Sequence, residues 1–151
     1  MIFLEVYFIS PIYTAILGII LISIVPRKDI KRLAFYGIAL GGVFDTLAIF
    51  LVTFLLKLGG YINYGPFGFK GFPFFPPVAW SIWFIIFFYI LPDNKFFKHF
   101  FIFTAASYAV LFSNILVNLG IMRWNKSKII VPYIIYIVWF YTVVWIKKRV
   151  N

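Results

Sequence analysis

The sequence predicts an all-α integral membrane protein, a bundle of about five transmembrane helices in a single domain of residues 1–151. Of these residues 64% are hydrophobic and 12% are charged, whereas soluble domains are roughly half apolar and a quarter charged. Several apolar runs approach the length of about 20 residues that crosses a bilayer as a helix. A water-soluble fold of this size would leave much of that surface exposed, so we expect a multi-pass protein of the cell membrane.

The N-terminal part of the chain predicts two helices. The first covers about residues 2–25, an apolar run that contains Glu5 and is preceded by no basic residue. A secretory signal begins with a positively charged segment, so we expect this helix to be retained. The basic segment Pro26 to Arg32 ends it, and the second helix is predicted at about residues 33–56, long enough to span a bilayer.

The connection at residues 57–77 is rich in Gly, Pro and aromatic residues, and no continuous helix crosses such a sequence. Long connections without regular structure are either functional or disordered. We expect this aromatic one to fold back over the bundle as an outer lid that includes Tyr61, Tyr64 and Lys70. The sequence leaves open whether the lid caps a pocket or packs against a neighbouring subunit.

Three further helices are predicted at about residues 74–91, 100–119 and 129–146. The first of them contains 14 uninterrupted apolar residues, Val78 to Leu91, where about 20 are usual for a span. Either the segment before it enters the bilayer partly extended, or its first turn contains prolines, which tolerate the missing N–H there.

The basic residues indicate the orientation. With five spans, nine of the 14 Lys and Arg lie on one side and five on the other, and the richer side faces the cytoplasm. The N-terminus and the lid are therefore predicted outside and the C-terminus inside. The basic face also favours anionic lipid headgroups, and confinement of the basic residues to connections argues against a nucleic-acid partner. The nine are Arg27, Lys28, Lys31, Arg32, Lys95, Lys98, Lys147, Lys148 and Arg149, and the five are Lys57, Lys70, Arg123, Lys126 and Lys128.

Asp45 is the most informative polar residue, because it lies about halfway along the second predicted helix. A charge at that depth costs several kcal/mol unless it is paired, hydrated or neutralised, so Asp45 should face the interior of the bundle. Gly41 and Gly37 fall on the same helix face, one and two turns before Asp45. This small-residue groove predicts close packing of another helix.

The fourth predicted helix carries a polar stripe that includes Ser107, Asn114 and Asn118. If helices 2 and 4 both start on the inner side, Asp45 and Asn114 lie at similar depth, so a hydrogen bond between them is possible. These four residues form the predicted polar intramembrane site. They either lock helix packing, line a hydrated path or pocket for a proton, cation or small polar ligand, or contact another subunit.

Few residues suit catalysis or metal binding. The chain has no Cys and a single His, His99, which excludes thiolate and multi-His metal sites. No nucleophile with an adjacent base is visible, so we expect no catalytic residue, metal or cofactor. We interpret Trp80, Trp83, Trp139 and Trp145 as part of the aromatic belt of the membrane interface.

Several features are spread along the chain: PRKDIKR after the first helix, Asp45, Gly60-Tyr61, Pro92 with its following basic residues, and Arg123-Trp124-Asn125. In this layout the chain resembles a group of uncharacterised small multi-pass membrane proteins of spore-forming Firmicutes. The resemblance covers most of the chain and implies a topology but no activity. Members of that group carry an acid in the fourth helix, where this sequence has Asn114 and Asn118.

Three functions follow as hypotheses. The first is a non-enzymatic subunit of a homo- or hetero-oligomeric membrane assembly, joined through the Gly37/Gly41 face and the lid. The second is a small transporter or an ion- or proton-conducting element that uses Asp45. The third is a membrane enzyme acting on a lipid or isoprenoid, ranked last because Asp45, Glu5 and His99 are predicted at different depths.

Overall fold

The computed structural model describes residues 6–69 and 72–150, and the described chain is mostly helical. Glu5 of the first predicted helix and Lys70 of the predicted lid lie outside the described residues. A short 3₁₀ turn, Val6–Phe8, precedes the first helix. The five helices are α1 (Ile9–Ile24), α2 (Arg27–Leu55), α3 (Phe75–Ile90), α4 (Lys95–Asn118) and α5 (Ile130–Val150).

Three of these helices, α2, α4 and α5, are long and apolar enough to cross a membrane. The other two, α1 and α3, are apolar but have 16 residues each. At 1.5 Å per residue they extend about 24 Å, less than the hydrocarbon thickness of about 30 Å. Pro76 and Pro77 occupy the first turn of α3, where the missing N–H costs no intrahelical hydrogen bond.

Two helices begin earlier than the apolar runs predict. Helix α2 starts at Arg27, directly after Pro26, so that most of the basic segment forms its first turns. Asp29 lies in the first turn, and its carboxylate accepts a hydrogen bond from Arg32 at 3.0 Å. Helix α4 starts at Lys95 because the Asn94 side chain caps it. Lys and Arg favour helices, so these turns form even though they are not apolar.

The structure also contains four short strands that an all-α prediction omits. Strand β1 (Gly59–Tyr61) pairs antiparallel with β4 (Met122–Trp124), and β2 (Gly68–Phe69) pairs with β3 (Phe72–Pro73). The first pair joins the outer lid to the connection between α4 and α5. Side-chain amides hold both of its ends: that of Asn63 donates to the Gly120 carbonyl at 2.7 Å, and that of Asn125 donates to the Lys57 carbonyl at 2.6 Å.

Helix α3 packs against α1 and α2, and α4 packs against α5. The Gly37/Gly41 face of α2 meets α3 within the same chain. A Cβ built on Gly41 would lie 2.6 Å from the Trp80 carbonyl oxygen, and one on Gly37 would lie 2.7 Å from that of Ser81. The assembly hypothesis requires this face to be free for another subunit. Helix α3 of the same chain already covers it.

An aromatic cluster fills the interface between α3 and α5. Phe84 and Phe140 are fully buried in it, and the ring centroids of Trp80 and Trp139 are 4.6 Å apart. Trp83 stacks on Phe140 at 5.0 Å. Trp80, Trp83 and Trp139 therefore pack against rings of neighbouring helices, and their place in an interfacial belt stays a prediction. Trp145 is exposed near the end of α5.

Candidate functional site

A cavity of about 470 Å³ lies among α1, α3, α4 and α5. Strands β1 and β4 close one end of it, because Tyr61 and Met122 both line it. Its volume is that of a pocket for a drug-sized molecule. The lining residues are mostly aliphatic and aromatic: Tyr13, Ile16, Leu17, Tyr61, Ala79, Trp80, Trp83, Tyr108, Ala109, Phe112, Ser113, Leu116, Met122 and Tyr136.

The cavity has a lateral mouth between α1 and α4. Ile16, Tyr108 and Phe112 line the cavity, and each is also exposed on the outer surface. Beside this mouth the Tyr13 ring meets Phe112 edge-on, with centroids 5.2 Å apart. The surface around the mouth is apolar, so the cavity communicates with the space that surrounds the helices.

Hydroxyl groups line the end of the cavity next to the strands. Ser113 is fully buried; it accepts a hydrogen bond from the Trp124 indole at 2.8 Å and donates to the Met122 sulfur at 3.1 Å. The Tyr136 hydroxyl lies near Ser113. Burial raises the pKa of the Tyr61 phenol well above its ordinary value, so Tyr61 stays neutral and keeps its donor hydrogen.

Asp45 lies behind this polar end, beside a smaller void of about 50 Å³. Its side chain is buried, with 4% of the residue exposed. Within the part of the chain that the structure describes, its Oδ2 atom has no hydrogen-bond partner. Burial of an unpaired carboxyl oxygen is unfavourable. A bound hydrogen-bond donor or cation next to Asp45 would offset this cost.

Five aromatic residues line the same void: Tyr61, Trp80, Trp124, Tyr136 and Trp139. The Trp80 ring contacts both Trp139, at 4.6 Å, and Tyr136, at 5.7 Å between centroids. Three of the five, Tyr61, Trp80 and Tyr136, also line the large cavity. The void with Asp45 and the large cavity are therefore adjacent compartments separated by shared aromatic side chains.

The backbone of α2 is irregular on both sides of Asp45. Wider π-helical turns occupy Ile38–Val43 and Phe50–Leu55, and ordinary α-helix lies between them at Phe44–Ile49. Such turns are rare and are often found at functional sites. The Trp139 indole donates to the Leu40 carbonyl at 3.0 Å, so the first π-helical segment is bonded directly to a ring of the aromatic group.

The predicted partners of Asp45 on α4 lie elsewhere. The Asn114 amide donates to the carbonyls of Val110 and Lys128, both at 2.9 Å. Asn118 is exposed, and Ser107, also exposed, bonds the Phe103 carbonyl and the Tyr133 hydroxyl. The hydrogen bond that the sequence allows between Asp45 and Asn114 is therefore not formed, because the Asn114 amide bonds backbone carbonyls instead.

The inward face of α4 is built from small residues instead of the polar stripe. Ala105, Ala106, Ala109 and Ser113 are buried, and they recur at helical spacing. Because Ser113 is one position before Asn114, it points about 100° away from it. The stripe of small residues was the signal in the sequence that marked this face.

No family model, curated protein or solved structure matches the chain. The resemblance to small membrane proteins of spore-forming Firmicutes therefore stays a prediction. Among the described residues, no group of three or more His, Cys, Asp or Glu side chains is placed to hold a metal ion.

The lid residues have different positions. Tyr61 lines both the cavity and the void, through its place in β1. Tyr64 is half-buried, and its carbonyl accepts a hydrogen bond from the Phe67 amide at 3.1 Å in the turn before β2. Of the two, Tyr61 is placed to contact a molecule in the cavity.

A second pocket, of about 330 Å³, lies where the start of α4 meets the end of α5. The His99 ring nitrogen Nδ1 is 2.8 Å from the Tyr141 hydroxyl. The distribution of basic residues predicts these two helix ends on the same side of the bundle, and the pocket brings Lys95, Lys98 and Lys148 together. The pocket is lined by Asp93, Lys95, Lys98, His99, Ile102, Tyr141, Val144, Trp145 and Lys148.

Proposed function

We propose that the chain is a multi-pass protein of the cell membrane, with five spans, the N-terminus outside and the C-terminus in the cytoplasm. The three long apolar helices support this proposal. The two shorter helices pack along them or each other, and the strand pairs next to α3 supply extra length at one end. The excess of Lys and Arg at the opposite ends of the helices supports the orientation.

Within that membrane the protein binds a small, mostly apolar molecule, as a non-enzymatic binding protein or carrier. The observation that carries this proposal is the cavity of about 470 Å³, which has apolar walls, hydroxyls at one end and a lateral mouth. A ligand dissolved in the bilayer reaches such a mouth without crossing water. The ring of hydroxyls orients one polar group by hydrogen bonds, while burial of its apolar body supplies most of the affinity.

A cavity-filling variant tests this function. We expect 1-adamantanol, a compact apolar alcohol, to bind the detergent-solubilised protein, as measured by native mass spectrometry. Ala109 is buried and lines the cavity, so Ala109→Phe should fill part of the space and weaken binding at least tenfold. Ala15 is exposed on α1, and Ala15→Phe is the matched control that should leave binding unchanged. Equal binding by the two variants, or none by the original protein, would reject the cavity as a ligand site.

A second candidate is a subunit of a larger membrane assembly. It is favoured by the polar side chain of Tyr108, which is exposed on the outer surface of α4 in the middle of this helix. Polar groups at that depth stabilise helix–helix contacts in membranes. Mass measurement in mild detergent should then give a dimer or a complex, and Tyr108→Leu should shift it toward the monomer. A monomer in the original protein would contradict this role.

A further inference from the structure

The void beside Asp45 has the composition of a site for an organic cation. It joins one buried carboxyl group, whose Oδ2 lacks a hydrogen-bond partner in the described chain, with the rings of Tyr61, Trp80, Tyr136 and Trp139. The faces of such rings attract a cation, most strongly when water is excluded. Carboxylate and aromatic faces together bind an ammonium group by charge and by ring contact.

We propose that the ligand of the central cavity is a lipophilic amine, bound with its ammonium group between Asp45 and the aromatic rings and its apolar body in the large cavity. This inference rests on the proposed function, which requires only that a small apolar molecule binds there. The two compartments share Tyr61, Trp80, Met122 and Tyr136. The proposal therefore requires one of these shared side chains to rotate, so that a single amphipathic molecule occupies both compartments.

Other occupants fit this void less well. A metal ion such as Ca²⁺ takes six or more oxygen ligands, whereas the side chains that line the void offer one carboxyl group, two phenols and the Thr53 hydroxyl. An anion would meet the carboxylate of Asp45, and none of the lining residues is Lys or Arg. A neutral apolar group would fill the space but leave the Asp45 oxygen unpaired, at an energetic cost.

The unusual backbone of α2 is consistent with this role. The π-helical segments Ile38–Val43 and Phe50–Leu55 flank the turn that carries Asp45. The bond from Trp139 to the Leu40 carbonyl fixes one ring of the site to the same helix. The carboxyl group and the ring are thus held by one rigid unit, which pre-organises the site and lowers the entropic cost of binding.

The test compares 1-adamantanamine with 1-adamantanol, which share one apolar body and differ in charge at neutral pH. Binding to the detergent-solubilised full chain is measured by isothermal titration calorimetry. We expect the amine to bind about 30-fold more tightly than the alcohol, the effect typical of a buried charge-assisted hydrogen bond. In Asp45→Asn the amine should lose this advantage, while the alcohol binds as before. The control Asp93→Asn removes an exposed acid and should change the affinity for neither compound.

Each outcome separates this inference from the proposed function. Retention of alcohol binding by Asp45→Asn shows that this variant is folded and that its cavity is intact. Equal affinity of the original protein for the two compounds, or an amine preference that survives in Asp45→Asn, overturns the amine site and leaves the cavity function standing. Failure of both compounds to bind the original protein overturns both proposals.

Discussion

Ser113 connects the strands to the bundle through a single hydroxyl. It is fully buried on α4, accepts a hydrogen bond from the Trp124 indole in β4 and donates to the Met122 sulfur. The hydroxyl thereby satisfies the indole donor, and it fixes strand β4, which carries the cavity residue Met122. Ser113 therefore sets both local stability and the position of the cavity wall.

The Ser113→Ala variant should be destabilised because the Trp124 indole loses its acceptor. We expect a loss of about 1–2 kcal/mol in the free energy of unfolding, measured by denaturation in mixed micelles. Ser23→Ala is the control, since Ser23 is exposed and bonds the Ile19 carbonyl of its own helix at 2.7 Å. A loss in Ser23→Ala as large as in Ser113→Ala would contradict the assigned role.

The burial of Asp45 could be predicted from the sequence, but the residues that surround it could not. An acid in the middle of an apolar run has to be shielded from lipid, and the structure buries it. Which residues surround it depends on how α3, α4 and α5 are rotated about their axes. The polar stripe with Asn114 suggested one rotation, whereas burial of Ala109 and Ser113 requires another.

At the scale of elements, the contact of α2 with α3 depends on the absence of side chains. The Gly41 position faces both the Trp80 carbonyl oxygen, 2.6 Å from an added Cβ, and the Phe84 ring, at 2.9 Å. Backbone atoms on the partner helix cannot move aside as a flexible side chain does. The two helix axes are therefore held as close as glycine allows.

Gly41→Ala should consequently separate α2 from α3. We expect a loss of about 1–3 kcal/mol in stability, the usual cost of overpacking, together with weaker ligand binding because Trp80 lines the cavity. Gly18→Ala on α1 is the matched control, since an added Cβ there meets nothing within 4 Å, and alanine favours the helix by up to about 1 kcal/mol. Thermal denaturation in detergent measures the stability of both variants. A Gly41→Ala protein as stable as the original would disprove the close contact.

The helices could be predicted because long apolar runs leave few alternatives, whereas their first turns depend on caps such as Asn94. The strands could not be predicted from the sequence. Each has two or three residues, too few for an alternating pattern of polar and apolar side chains. Their pairing is also long-range, because the lid bonds to a connection that lies beyond two further helices.

At the scale of the whole molecule, the absence of Cys from the sequence makes the topology directly measurable. Single cysteines at Lys28→Cys and Arg149→Cys should react with a membrane-impermeant maleimide only after the cells are permeabilised. Lys126→Cys should react in intact cells, because the connection between α4 and α5 is proposed to lie outside. All three positions are exposed. Labelling of Lys28→Cys in intact cells would reverse the orientation.

The pocket between the ends of α4 and α5 predicts preferential contact with anionic lipid headgroups. Lys98 and Lys148 both line it, and each lysine near an anionic lipid contributes about 1 kcal/mol. Lys98→Gln with Lys148→Gln should therefore weaken binding of dioctanoyl phosphatidylglycerol about 30-fold, measured by native mass spectrometry. Lys28→Gln with Lys31→Gln removes the same charge from exposed positions outside the pocket. An equal effect of the two pairs would mean that the attraction is diffuse.

The pairing of β1 with β4 has a consequence for how the protein is made. Tyr61 and Met122 are opposite each other in this pair, so β1 leaves the ribosome well before its partner has been translated. During that interval α3 and α4 are synthesised while the end of the cavity beneath the strands is still open. Closure of that end is therefore one of the last steps of biosynthesis, and a ligand that needs Tyr61 is captured only after the α4–α5 connection has been synthesised.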